Sequence, residues 1–116
     1  MDFASPMESR RTQLAARLPD ALDDLTGPVA GEVELPLHLA WSGLRRFDLG
    51  RPRLRMGMYR IVITEGMQED LVRFLNAQVL VELWPVLRTL VGPAVRQVWE
   101  ASFPDLAVAA ARSSAA

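Results

Sequence analysis

The chain has 116 residues, a formal net charge of −1, 50% hydrophobic residues and no cysteine. That is one domain with enough apolar mass for a core, so global disorder is excluded, as are disulfides, thiolate metal sites and cysteine nucleophiles. No apolar run approaches the roughly 18 residues of a membrane span, and the first residues, MDFASPMESRR, have no apolar signal-peptide core, so a cytoplasmic location is expected.

In chain order, residues 1–6 read as a disordered start. A helix is expected from Met7 to Leu18, with Leu14, Ala15 and Leu18 on one face. Pro19 breaks it and suits the first turn of a short second helix, Asp20 to Leu25, which Thr26-Gly27-Pro28 ends. From 32 onward, Val33, Leu35, Leu37, Leu39 and Trp41 alternate with Glu32, Glu34, Pro36, His38 and Ala40. Period-two alternation predicts a half-buried strand, and Pro36 makes it an edge or interrupts it. Ser42-Gly43 signals a turn, and Phe47 and Leu49 return as a second strand, which gives a hairpin over about 32–49. The competing reading is a loop with a short helix at His38 to Gly43.

Pro52 opens a helix to about Glu65, with Leu54, Met58, Ile61 and Val62 inward. The β-branched run Ile61-Val62-Ile63-Thr64 leaves a strand at 60–64 as its rival. Gly66 reads as a cap. Gln68, Glu69 and Asp70 suit the start of a new helix, whose core face is Leu71, Phe74 and Leu75. The densest apolar stretch follows, LVELWPVLRTLVGPAVRQVWEASF at 80–103. Leu80, Leu83, Trp84, Leu87, Leu90 and Val91 recur at three- and four-residue steps. Pro85 should kink or split this helix. After Gly92-Pro93, the residues Val95, Val98, Trp99 and Phe103 repeat the pattern. The tail at 107–116 lacks a core face and is expected to fray. The fold class is therefore mainly α, about five short helices with a small β-hairpin near 32–49, in one domain over 7–106.

Few residues carry chemistry in any recognisable pattern. His38 is the only histidine, and on a strand it shares a face with Glu32 and Glu34. A His-carboxylate site is conceivable there, but zinc wants three or four ligands, and an ordinary hydrogen-bonded histidine is the plainer reading. Glu65, Glu69 and Asp70 flank Gly66 at a helix junction; paired carboxylates can do acid/base work, but capping is the plainer explanation here. The serines have no nucleophile-elbow context, and no phosphate-binding glycine loop is present. No catalytic residue, metal or cofactor is expected.

Charge distribution offers more. From Asp20 to Glu34 there are five acids and no base, and from Arg45 to Arg60 six arginines face the single acid Asp48. Arg45, Arg46, Arg51, Arg53, Arg55 and Arg60 can pair with carboxylates, neutralise phosphates, or answer the chain's own acidic block. Every basic residue is arginine and none is lysine, as a GC-rich coding sequence would produce.

The segments LPLHLAWSG, FDL, YR, EG, DLVRFLN, LWPVLRTL and VRQVWEASFPDL, spread over 35–106, resemble small regulator- or antitoxin-like proteins of high-GC bacteria. Those proteins resemble gene partners of abortive-infection type nucleotidyltransferase toxins. The resemblance implies an antitoxin or accessory role, with binding to a toxin as the activity, and it carries over no functional residue. The leading expectation is a non-catalytic, antitoxin-type protein partner that occludes a toxin enzyme, with the six arginines as its contacts and homo-oligomerisation open. The alternatives are a nucleic-acid-binding transcriptional regulator using the same arginines, and a small ligand-binding or enzymatic domain around His38.

Overall fold

The computed structural model describes residues 6–40 and 43–115. Among them are six helices and one two-stranded antiparallel sheet: α1 (Pro6–Arg17), a single 3-10 turn (Leu22–Asp24), β1 (Glu32–Glu34), β2 (Arg46–Asp48), α2 (Pro52–Glu65), α3 (Gln68–Phe74), α4 (Ala77–Leu90), α5 (Pro93–Ser102) and α6 (Pro104–Ala115). The protein is mainly helical with a small hairpin, as its periodicities predict. No helix among the described residues is long and apolar enough to cross a membrane.

Helix α4 is the centre. Leu80, Trp84 and Leu87 are fully buried, with Val79 and Leu83 close behind. Full burial of a large aromatic contributes more apolar area than any other residue type. Helices α2 and α6 and the 3-10 turn all pack on α4, α5 packs on α6, and α1 lies across α5. Pro85 sits inside α4 without splitting it. Asn76, read from the sequence only as part of a bend, is the N-cap of this helix: its Oδ1 accepts from the Gln78 and Val79 amides at 3.1 and 3.2 Å.

In α2 the helical reading holds through the β-branched run. Its buried face is Met58, Tyr59, Val62 and Ile63, so Tyr59 and Ile63 join it while Leu54 and Ile61 are half-buried. Tyr59 is fully buried because its hydroxyl accepts the Asn76 amide at 2.9 Å. Burial raises the Tyr59 phenol above its ordinary value, while that hydrogen bond and the Arg55 charge act the other way. The α2 helix ends where Gly66 donates to the Val62 carbonyl.

The hairpin is shorter than the alternation suggests. Glu32 pairs with Asp48, Val33 with Phe47 and Glu34 with Arg46; beyond these the Leu35 amide donates to the Arg45 carbonyl at one end and the Leu49 amide to the Gly31 carbonyl at the other. At Pro36 the strand stops, because proline has no N–H for the ladder. The chain then turns, with the Leu39 and Ala40 amides both donating to the Pro36 carbonyl. Leu37 consequently points outward, 62% exposed, whereas Leu35 and Leu39 are buried. The inward Trp41 and the Ser42 of the expected Ser42-Gly43 turn lie outside the described residues.

Two further expectations need correction. The second short helix is only the 3-10 turn, held where the Asp24 carboxylate accepts the Ala21 amide. The tail at 107–116, expected to fray, is helical to Ala115. Its core contact is Leu106, fully buried, one residue before the segment judged to lack a core face, and Ala110 continues that face one turn on.

The chain closes on itself where Leu25–Gly27 runs beside Phe74–Ala77. Gly27 donates to the Leu75 carbonyl at 2.8 Å and Ala77 to the Leu25 carbonyl at 3.0 Å. A Cβ at Gly27 would lie 2.5 Å from the Phe74 carbonyl carbon, a backbone atom that cannot swing aside. Gly27→Ala should therefore destabilise the fold by about 2–3 kcal/mol, as overpacking against backbone does. Urea unfolding checks this, and an unchanged midpoint would mean that the approach is looser than described.

Candidate functional site

Three groups of polar side chains stand out, and the six arginines come first. Arg45 reaches Glu34 at 3.2 Å and Arg46 reaches the same carboxylate at 3.8 Å, and Arg51 reaches Asp48 at 3.8 Å. All three guanidiniums are well exposed, so these pairs stabilise little. Of the acidic block at 20–34, only Glu34 answers an arginine among the described residues. Arg53 and Arg60 are exposed on α2, seven residues apart and so on one face of the helix. Arg55 is roughly 200° round from Arg53 by the helical period. It is half-buried, its Nε enclosed and without a hydrogen-bond partner among the described residues, and it acts electrostatically on Tyr59. The arginine block is thus not one surface. Three members lie on or beside the hairpin, two share an outer face of α2, and one turns inward.

The second group is His38 with Asp70. The sequence placed His38 beside Glu32 and Glu34. Because the strand ends at Glu34, His38 instead sits in the turn after Pro36 and meets a residue 32 positions away. Its Nε2 lies 3.1 and 3.0 Å from the two Asp70 oxygens. Asp70 is the one charged residue counted as buried among the described residues. Its Oδ2 also accepts the Met67 amide at 3.0 Å, which is the capping role expected of the acids around Gly66. Arg17, Gln68 and Glu69 line the shallow surface depression beside the pair, and Gln68 also donates to the Leu18 carbonyl. The arrangement ties the turn at 36–40 to the start of α3. The described residues hold no cluster of three or more His, Asp or Glu able to bind a metal.

The third group was missed in the sequence. Glu100 on α5 accepts the Trp84 indole N–H at 2.9 Å and the Arg88 Nε at 2.9 Å with one oxygen, and Arg88 Nη2 at 3.3 Å with the other. This satisfies the polar atom of a fully buried tryptophan and locks α4 to α5. The bidentate guanidinium, opposed by partial burial and helped by the indole, holds the Glu100 carboxyl below its ordinary value. Trp84 and Arg88 are one turn apart on α4, which marks a shared face, but nothing local in the sequence pairs that face with Glu100. Arg11 of α1 and Gln97 of α5 form a further inter-helix hydrogen bond.

A groove runs between α2 and the segment that leads into β2. Its lining includes Leu39, Leu44, Phe47, Gly57, Arg60 and Ile61, and Leu44 is 56% exposed on its rim. Comparison with known proteins adds no identification: the chain matches no family model, no curated protein and no solved structure.

The Glu100 cluster makes a pH prediction. The carboxyl has a lower pKa folded than unfolded, so its stabilisation is complete above the unfolded value of about 4.3 and is lost as pH falls through the lower folded value. Glu100→Gln should destabilise the protein at pH 7 by about 1.5–3 kcal/mol, the range for hydrogen bonds to charged groups. The difference from the wild type should shrink in acid. Urea titrations from pH 7 down to about 3.5 read both, and a difference that stays constant with pH would remove the ionic account.

Proposed function

We propose that this chain is a non-catalytic protein-binding module, a partner of antitoxin type that occludes a toxin enzyme. The observation that carries this reading is the set of exposed arginines on the hairpin and on the outer face of α2. Arg46, Arg51, Arg53 and Arg60 are all exposed, and the ion pairs of Arg46 and Arg51 with Glu34 and Asp48 are exposed and weak. Arginine at such density favours bidentate recognition of carboxylates. The titratable groups that chemistry might have used have work within the fold: His38 and Asp70 join a turn to α3, and Glu100 joins α4 to α5. The resemblance over 35–106 points the same way and suggests a nucleotidyltransferase as the occluded enzyme. A net charge of −1 gives no long-range attraction to a polyanion, which supports a protein partner over nucleic acid.

The test is recovery of the tagged chain, at native level, from its own host. One stoichiometric protein with an enzymatic activity that falls when the two are mixed is the expected result. A nuclease-sensitive mixture, with binding to duplex DNA that weakens steeply in salt, would replace this reading by a regulator. Recovery of the chain alone would remove it.

A further inference from the structure

His38 is the one strong nitrogen nucleophile among the side chains of this protein. The sequence has a single histidine and neither lysine nor cysteine, and imidazole is the side chain that keeps a free lone pair near neutral pH. The fold occupies only one of its two nitrogens. Nε2 lies 3.1 and 3.0 Å from the two Asp70 oxygens. An ionised carboxylate only accepts hydrogen bonds, so in the neutral ring Nε2 carries the hydrogen and Nδ1 the lone pair. Nδ1 has no hydrogen-bond partner among the described residues, and the His38 side chain is 57% exposed. Asp70 behind it is buried, and the Met67 amide fixes its carboxylate. A carboxylate held in this way behind an imidazole stabilises the cationic ring that forms when the other nitrogen attacks an electrophile.

We propose that His38 is a phosphoryl-acceptor site, modified at Nδ1 by an activated donor, a phosphoramidate or an acyl phosphate. With phosphoramidate, the Nδ1 lone pair forms the new N–P bond as the donor's own P–N bond breaks. Ammonia leaves with that electron pair and the donor's three ammonium hydrogens. The ring keeps its hydrogen on Nε2, and its new positive charge lies against Asp70. Acyl transfer is the less suited chemistry. It asks for a donor to the tetrahedral oxyanion, and the Met67 amide, which could have served, is taken up by Asp70. Phosphoryl transfer passes through a looser transition state and depends on positioning and counter-charge. Arg17 and Glu69 both line the depression beside His38 and offset each other, so the choice rests on the imidazole and the carboxylate behind it. The proposal does not rest on the protein-binding reading above.

The probe is potassium phosphoramidate with the full chain. Intact mass should show one added phosphoryl group that is lost in acid. Fragmentation should place it on His38, and phosphorus–nitrogen NMR coupling in labelled protein should place it on Nδ1. The rate should exceed that of free N-acetylhistidine by about tenfold or more, as expected of an imidazole oriented by a carboxylate. His38→Gln should take up nothing. Asp70→Asn is the sharper variant. Its carbonyl oxygen can stay on the Met67 amide while its NH2 group meets Nε2, which must then accept, so the hydrogen moves to Nδ1 and blocks it. The rate should fall to that of N-acetylhistidine or below. The comparison with N-acetylhistidine uses the unaltered chain and stands even if Asp70→Asn does not fold. With acetyl phosphate, His38 should gain the phosphoryl and not the acetyl group. No adduct, an adduct on Nε2 or on another residue, an acetyl group on His38, a rate equal to that of N-acetylhistidine, or an undiminished rate in folded Asp70→Asn would each overturn the proposal.

Discussion

Burial of Trp84 is the constraint on which the helical arrangement depends. An indole brings the largest apolar surface of any side chain, but it also brings an N–H that costs free energy if left unpaired. Glu100 supplies the acceptor from another helix, and a partly buried carboxylate would itself be costly without Arg88. The three groups are mutually necessary: hydrophobic burial requires the carboxylate, which requires the guanidinium. Since Trp84 and Arg88 belong to α4 and Glu100 to α5, the relative placement of the two helices follows from satisfying one N–H. Ala107, Ala110 and Ala111 of α6 flank the Arg88–Glu100 pair. Their short side chains let a helix approach where larger ones would displace the guanidinium, which gives the alanine-rich C-terminal segment a place in the fold.

The glycines show how one residue type serves opposite ends. Gly27 is demanded by the interior, since two chain segments meet there too closely for any Cβ. Gly57 is merely tolerated: a Cβ there would meet only the Phe47 ring edge, at 3.9 Å, among the described residues. Deciding between the two takes the neighbouring atoms, because in the sequence each is simply a glycine.

How much of the fold was legible follows from the range of the interactions involved. Periodicity carried α2 to α5, because a helix face is written in residues three and four apart. A hairpin over 32–49 was legible through alternation, but its register was not: Glu34 pairs with Arg46 across a long connection rather than around a tight turn at Ser42-Gly43. The strand's end was half legible: Pro36 announced an interruption, but the apolar alternation continued past it to Trp41 and concealed the turn. What could not be read were pairings between distant positions. His38 to Asp70 and Trp84 to Glu100 cross between elements, and no local pattern marks them. The arginines were legible as a charge excess but not as a surface. Helical geometry separates Arg55 from Arg53 and Arg60, although all three fall within eight residues.

The weakness of the hairpin ion pairs bears on how such a surface would bind. Arg45, Arg46 and Arg51 are held by Glu34 and Asp48 in exposed pairs, each contributing between nothing and about 1 kcal/mol. A partner's carboxylates can take over those guanidiniums at little cost, provided that Glu34 and Asp48 return to water. Arg53 and Arg60, with no ion pair to break among the described residues, need no such exchange. Exposed arginines of this kind act more on the rate and the salt sensitivity of an encounter than on its affinity.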